Sequence, residues 1–238
     1  MRVRWEFDPE DVQRVKALVD THRDHPSVHD RISRNVERQG LTLSREVVWA
    51  EMVGCLVSTR QRWEKVERFL RTKPFPLSYN SCTQSASIRQ LAESALEAAR
   101  LRRWKRVAME LAENLDRLEK GLWDASLAVM KDLLALADPA RERSAADFID
   151  DHLVGFGPKQ ARNLLQGLGL TRYEIPLDSR IARWLTQSGF PVPLPAQALS
   201  DRRYYHFVSN AVQHLCAQCG VYPCVLDAVV FVSAEGEQ

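Results

Sequence analysis

Lys159 stands in a setting that could do chemistry. It follows Gly155-Phe156-Gly157-Pro158 in the segment DFIDDHLVGFGPKQARNLLQGLG. The two glycines permit a tight turn and let a backbone come close to a ligand. Proline at the first position of a helix leaves the early amides free, with the positive end of the helix dipole outward. Such an end binds phosphate without reading sequence. The dipole and partial burial both disfavour an ammonium at Lys159, and a free amine is what nucleophilic attack requires. A second group, Asp178, follows the extended stretch TRYEIPL and opens the helical pattern SRIARWL, where it is placed as an N-cap. Taken singly, each residue also admits a plain role, the lysine as a surface charge after a turn and the aspartate as a cap.

The elements that must position these residues read as helices. One, with Phe148, Ile149 and Leu153 inward, is expected to start at a capping box, Ser144 to Asp147, and to stop at Gly155. The next begins at Pro158 and turns Ala161, Leu164, Leu165 and Leu168 inward; the one after Asp178 turns Ile181, Trp184 and Leu185 inward. Upstream, Asp8 and Pro9 start a helix that ends by His25-Pro26, and a short pattern leads to Gly40. From Ser44, VVWAEMVGCLVS is apolar on most sides and reads as the central helix of a lobe. A Pro- and Ser-rich loop, RTKPFPLSYNSCT, precedes two long helices over residues 86–136, with one break near Gly121. Glycine (10) and proline (11) are sparse and the apolar residues recur at helical spacing, so an all-α fold is expected over a sheet protein. At 238 residues the chain can form one or two domains.

The stretch from Leu153 to Leu185 resembles the helix–hairpin–helix (HhH-GPD) DNA glycosylase superfamily, and is most similar to its prokaryotic 8-oxoguanine DNA glycosylase/AP lyase branch. The lysine and aspartate of that branch lie nineteen residues apart, as do Lys159 and Asp178. The resemblance implies two helical lobes with a DNA-binding cleft between them. One lobe would comprise residues 1–44 plus 176–238, and the other a helical barrel, residues 45–175, containing the helix–hairpin–helix at 148–168. It implies that Lys159 attacks the sugar carbon C1′ while Asp178 assists, giving a bifunctional glycosylase and AP lyase working through a lysine Schiff base. The excised base would be a modified one, 8-oxoguanine-like by the nearest branch. The alternatives are a hypermodified phage pyrimidine, or a non-catalytic module whose hairpin only binds DNA backbone.

A base must be flipped out of a duplex before it can be attacked, and the gap filled. By the resemblance, the gap-filling position falls in LVSTRQRW at Arg60, flanked by Gln61 and Arg62. Asn163, one turn after Lys159, should line the base pocket. Gly155, Gly157, Ser179 and Arg180 are the candidate phosphate contacts. The basic run RLRRWKR, residues 100–106, is expected to be the solvated face of an amphipathic helix with Leu101 and Trp104 inward.

Cys216, Cys219 and Cys224, with His214 and His206 nearby, raise a metal site, but cluster-bearing relatives carry four cysteines at a wider first spacing. Buried thiols are the preferred reading, with no metal and no cofactor. The near-balanced charge, 33 basic against 31 acidic residues, points to no partner by itself. Damaged DNA is the partner the resemblance implies, for a monomer without membrane segments in a prokaryotic cytoplasm, associated with the nucleoid.

Overall fold

The computed structural model describes residues 4–59, 61–136 and 138–236. Among them there is no strand. The helices are α1 (Pro9–His22), α2 (Pro26–Arg31), α3 (Arg45–Ser58), α4 (Trp63–Leu70), α5 (Tyr79–Thr83), α6 (Ile88–Ala98), α7 (Trp104–Arg117), α8 (Trp123–Ala135), α9 (Pro139–His152), α10 (Pro158–Gly167), α11 (Ser179–Gln187), α12 (Arg202–Cys219) and α13 (Pro223–Gly236). Single wide turns extend α2 over Ile32–Val36 and α7 over Leu118–Leu122.

The buried apolar side chains form two clusters. The first gathers residues from Val48 to Leu170 around α3, whose Val48, Trp49, Met52, Val53, Leu56 and Val57 are all buried. The second joins Val15 and Val28 of α1 and α2 to Ile181 and Leu185 of α11 and to the inner faces of α12 and α13. The chain therefore crosses from one cluster to the other twice, near residues 36–45 and again near 170–175. No single helix among the described residues is long and apolar enough to cross a membrane. The helices α12 and α13 would suffice only as a pair, but they meet at 94° and their apolar residues are built into the second cluster.

Three boundaries differ from expectation. The first hairpin helix starts at Pro139, not at Ser144, because Asp138 accepts hydrogen bonds from the N–H groups of Ala140 (2.9 Å) and Arg141 (3.0 Å) and proline holds the next position. Residues 86–136 form three helices instead of two. The additional break falls at 99–103, where Arg100 and Arg103 adopt left-handed backbone with φ of 52° and 59°. Residues 100–103 of the run are consequently a loop leading into α7, whose first turn takes up 104–106, so the run is not one continuous helix face, although Leu101 is buried and Trp104 half-buried. Part of the Pro- and Ser-rich loop folds as the short helix α5, capped by Ser78.

The second crossing carries Asp178, and its backbone has no strand to pair with. Buried N–H groups need acceptors, and a single side chain supplies three of them. Glu142 of α9 accepts from the N–H of Arg172 (2.9 Å), Tyr173 (2.8 Å) and Glu174 (2.9 Å). Burial pushes the Glu142 carboxyl up to about 7 against the pull of these three bonds. Asn35 donates to the carbonyls of Gln166 (3.0 Å) and Thr171 (2.9 Å), and the Tyr205 hydroxyl bridges Ile175 O and Leu177 N (2.8 and 2.7 Å). Glu174 pairs with Arg162 of α10 at 2.6 Å, both side chains fully buried, and with Arg143 of α9 at 2.8 Å. Arg162 also lies 4.6 Å over the Tyr205 ring. Replacing Glu142 by Ala strands three interior N–H groups. It is expected to cost about 3 kcal/mol or more in urea unfolding, and a loss under about 0.5 kcal/mol would show that water satisfies them instead.

Candidate active site

The hairpin brings its residues together by close packing. Gly155 has φ +84°, and a Cβ there would stand 2.8 Å from both Leu56 Cδ2 and Glu110 Cδ. Only glycine lets α3 and α7 approach the turn this closely. Asn114 of α7 fixes the preceding residue, accepting from Val154 N (2.7 Å) and donating to Val154 O (2.9 Å). Gly157 differs: its φ is −85° and nothing lies within 4 Å of a Cβ built there. Its surface is open for a ligand to approach, beside the amides that open α10.

Lys159 sits half-buried in the first turn of α10, its Nζ donating to Gln160 Oε1 at 3.2 Å. Gln160 in turn donates to Cys55 O (2.6 Å) and Thr59 Oγ1 (2.8 Å), which binds the lysine's neighbour to the end of α3. Asn163 shares the acceptor Gln160 Oε1 at 3.4 Å and reaches the Cys55 sulfur at 3.5 Å. The two α10 residues named from sequence therefore converge on one polar cluster. Burial pushes the Cys55 thiol well above its ordinary value, so it stands there as a neutral group.

Asp178 caps α11 from the other lobe. Its Oδ1 accepts from the N–H of Arg180 (2.8 Å) and Ile181 (3.1 Å), and its Oδ2 from Arg180 Nε (2.8 Å). Burial raises the carboxyl, but the Arg180 guanidinium, the Ile181 N–H and the charge of Lys159 together hold it below the usual aspartate range. Asp178 is thus an anion in a fixed orientation, near enough to Lys159 to feel its charge. The structure places Arg180 against this carboxylate and 4.4 Å over the Phe231 ring, whereas Ser179 is exposed at the start of α11.

At the end of α3, Arg60 lies outside the described residues. Arg62 is exposed, and the Gln61 side chain is turned to the 100–103 loop. Gln160, Cys55, Glu142 and the Arg162–Glu174 pair were not anticipated from sequence. A signal existed for Glu142, which shares its helical phase with the buried Ala145, Ala146 and Ile149, an inward position a charge does not take without partners. Cys216, Cys219 and Cys224 are buried, and His206 bonds Asp147 at 3.0 Å; no group of three or more metal-ligating side chains occurs among the described residues.

No protein-family model matches the chain. An 8-oxoguanine DNA glycosylase/AP lyase of Thermoplasma acidophilum is 24% identical over 108 residues, which is 45% of this chain and 50% of that protein, so the match spans about half the relative's length. Among solved structures, the 8-oxoguanine DNA glycosylase of Methanocaldococcus jannaschii superposes with a TM-score of 0.68 at 16% identity, covering 94% of both chains. The same enzyme in complex with a 15mer DNA containing 8-oxoguanine gives 0.70, covering 94% of this chain and 98% of that one, also at 16% identity. The 8-oxoguanine DNA glycosylase of Thermotoga maritima gives 0.65 at 16% identity, over 95% and 97%. The chain has the fold of these proteins.

Two outcomes follow from the geometry. Gly155→Ala forces a left-handed alanine against Leu56 and Glu110 and is expected to lose about 1–3 kcal/mol of stability, whereas Gly157→Ala leaves stability within about 0.5 kcal/mol. Chemical denaturation of the two variants measures the contrast. The folded Asp178 carboxyl titrates below its unfolded value, so the stability it adds is complete above about pH 4 and is lost as pH falls through the folded value. Asp178→Asn keeps the cap without the charge. The stability gap between wild type and this variant, open at neutral pH, should therefore close as pH drops below about 4; a gap independent of pH would mean the charge adds nothing.

Proposed function

We propose that the chain is a DNA glycosylase with AP lyase activity, in which Lys159 is the nucleophile and Asp178 the electrostatic partner. One observation carries the reading: an amine in the first turn of α10, on the first cluster, and an anionic N-cap of α11, on the second, lie close enough for the lysine's charge to help hold the carboxylate ionised. The likeness to 8-oxoguanine glycosylases, including one solved on lesion DNA, supports the substrate class.

The chemistry follows from the two groups. Breaking an N-glycosidic bond builds positive charge on the sugar, and a preoriented carboxylate stabilises that charge without reorganising. Asp178 has its orientation set before substrate arrives, because α11 cannot be capped by it in any other pose. The Lys159 amine attacks C1′ as the base leaves with the bonding electron pair, and loss of a proton from nitrogen gives an aminal. The nitrogen lone pair then expels the ring oxygen O4′, which takes up a proton as the sugar opens, and the C1′=N iminium forms. Abstraction of a proton from C2′ then expels the 3′ phosphate, which cuts the strand. Asn163, beside Lys159 and Cys55, lines the space for the extruded base, and an 8-oxoguanine-like purine is the proposed occupant. The amides that open α10, next to the unobstructed Gly157, are placed to receive a backbone phosphate.

Borohydride reduces an enzyme–DNA imine to a permanent crosslink. A panel of duplexes carrying 8-oxoguanine, other oxidised purines and hypermodified pyrimidines should yield a crosslink with wild type, strongest on the oxidised purines, and none with Lys159→Gln. Asp178→Asn should slow base release by about a hundredfold or more. A wild-type protein that traps on no substrate would overturn the lyase reading, and trapping that survives Lys159→Gln would overturn the choice of nucleophile.

A further inference from the structure

One stripe of α3 runs antiparallel along a stripe of α10. Thr59, just past the end of α3, takes the Gln160 hydrogen bond at 2.8 Å. One turn earlier the Cys55 sulfur lies 3.5 Å from Asn163 Nδ2, and one turn earlier again Glu51 lies against Gly167. On the α10 side the groove is lined by Lys159, Asn163 and Gly167, spaced four residues apart and each half-buried. Glycine is what admits the carboxylate: a Cβ built on Gly167 would stand 2.5 Å from Glu51 Cδ and closer still to its Oε1.

Glu51 has no partner of its own. The charges of Arg34 and Arg31 act on it, but both groups are committed elsewhere: Arg31 pairs with Asp227 at 2.8 Å, and Arg34 donates to the Gly167 carbonyl. Among the described residues no hydrogen bond or ion pair reaches the Glu51 carboxylate. Burial pushes its carboxyl above the ordinary glutamate range against the pull of both arginines. A sheltered carboxylate without donors is costly in the free protein, and N–H groups brought by a ligand offset that cost. The spacing suits a base. Lys159 and Gly167 are eight residues apart, which is about 12 Å along the helix axis. A purine with its sugar at Lys159 and a hydrogen bond at its far edge spans that groove, past Asn163 and the neutral Cys55 thiol. A pyrimidine falls short.

We propose that Glu51 is a specificity-determining residue at the end of the base pocket remote from Lys159, accepting from the two adjacent N–H donors on the far edge of a guanine-type base. Two carboxylate oxygens match two donors side by side, the ring N1–H and the N2 amine. An adenine-type edge puts a bare ring nitrogen where the first donor belongs, and a carboxylate repels it. This rests on the glycosylase reading and sharpens its substrate from oxidised purines in general to those that keep the guanine edge. Glu51 touches the base and not the sugar, so it takes no part in breaking the bond.

The test uses the full chain in single-turnover excision from duplexes carrying 8-oxoguanine or 8-oxohypoxanthine, which differ only in the N2 amine. Wild type is expected to release 8-oxoguanine about tenfold faster or more, and Glu51→Gln to shrink that ratio below about threefold by slowing release of 8-oxoguanine. Gly167→Ala keeps the carboxylate but pushes it out of line, so it should narrow the ratio in the same way, and it decides the matter if the Glu51 variant does not fold. A purely structural role would slow both bases equally. Equal slowing, a ratio unchanged in the variants, or a wild type without preference between the two bases overturns the role of Glu51. Borohydride crosslinking of wild type to an abasic duplex, which carries no base to read, separates the two readings. A crosslink leaves the lyase reading standing whatever becomes of Glu51, and its absence overturns both.

Discussion

Everything about the site depends on how a buried, extended piece of backbone is satisfied without a sheet. The crossing from α10 to α11 leads to Asp178, and among the described residues there is no strand for its amides to pair with. The solution is to spend carboxylates on it: Glu142 takes three consecutive N–H groups, and Glu174, within the crossing, is neutralised by Arg162 and Arg143. Such groups are costly to desolvate and worse to leave unpaired, so each partner holds the others in place. Because Arg162 lies on α10 three residues beyond Lys159, the ion pair also sets the helix relative to the strand-like segment that leads to Asp178.

The two candidate groups owe their positions to helix ends, one by its absence of a side-chain cap and one by being the cap. Gly157 precedes α10 with no side-chain cap bond, leaving space beside the first amides. Asp178 caps the start of α11 with both oxygens engaged. An anion so held below its usual range stays charged and oriented, whereas a freely rotating carboxylate would first have to be ordered. The Arg180 pairing keeps that anion ordered in the free protein.

Local chemistry was legible in the sequence; long-range pairing was not. The hairpin, Pro158 at the head of α10 and the Asp178 cap follow from residues adjacent in the chain, and the central helix from its apolar run. The start of α9 was misjudged because Ser144 and Asp147 imitate a cap, whereas Asp138-Pro139 combines cap and N1 proline. The break at 99–103 carries neither glycine nor proline, and arginines take the left-handed positions that those residues usually mark. The Glu174 network draws on Arg143, Arg162, Ser209 and Gln213 from three helices, and no spacing within one segment announces it.

The second cluster draws on both flanks of the first, with Val15 and Val28 packed against the inner faces of α12 and α13. About 190 residues separate α2 from α13. At ribosomal rates of about 5–20 residues per second, α1 and α2 wait roughly 10–40 s for the helices that bury them. The cluster around α3 can close during that interval, whereas the Asp178 side of the site lacks its supporting wall. A nascent chain of this protein would therefore acquire its hairpin well before its second cluster, and the candidate site would be completed in one late step.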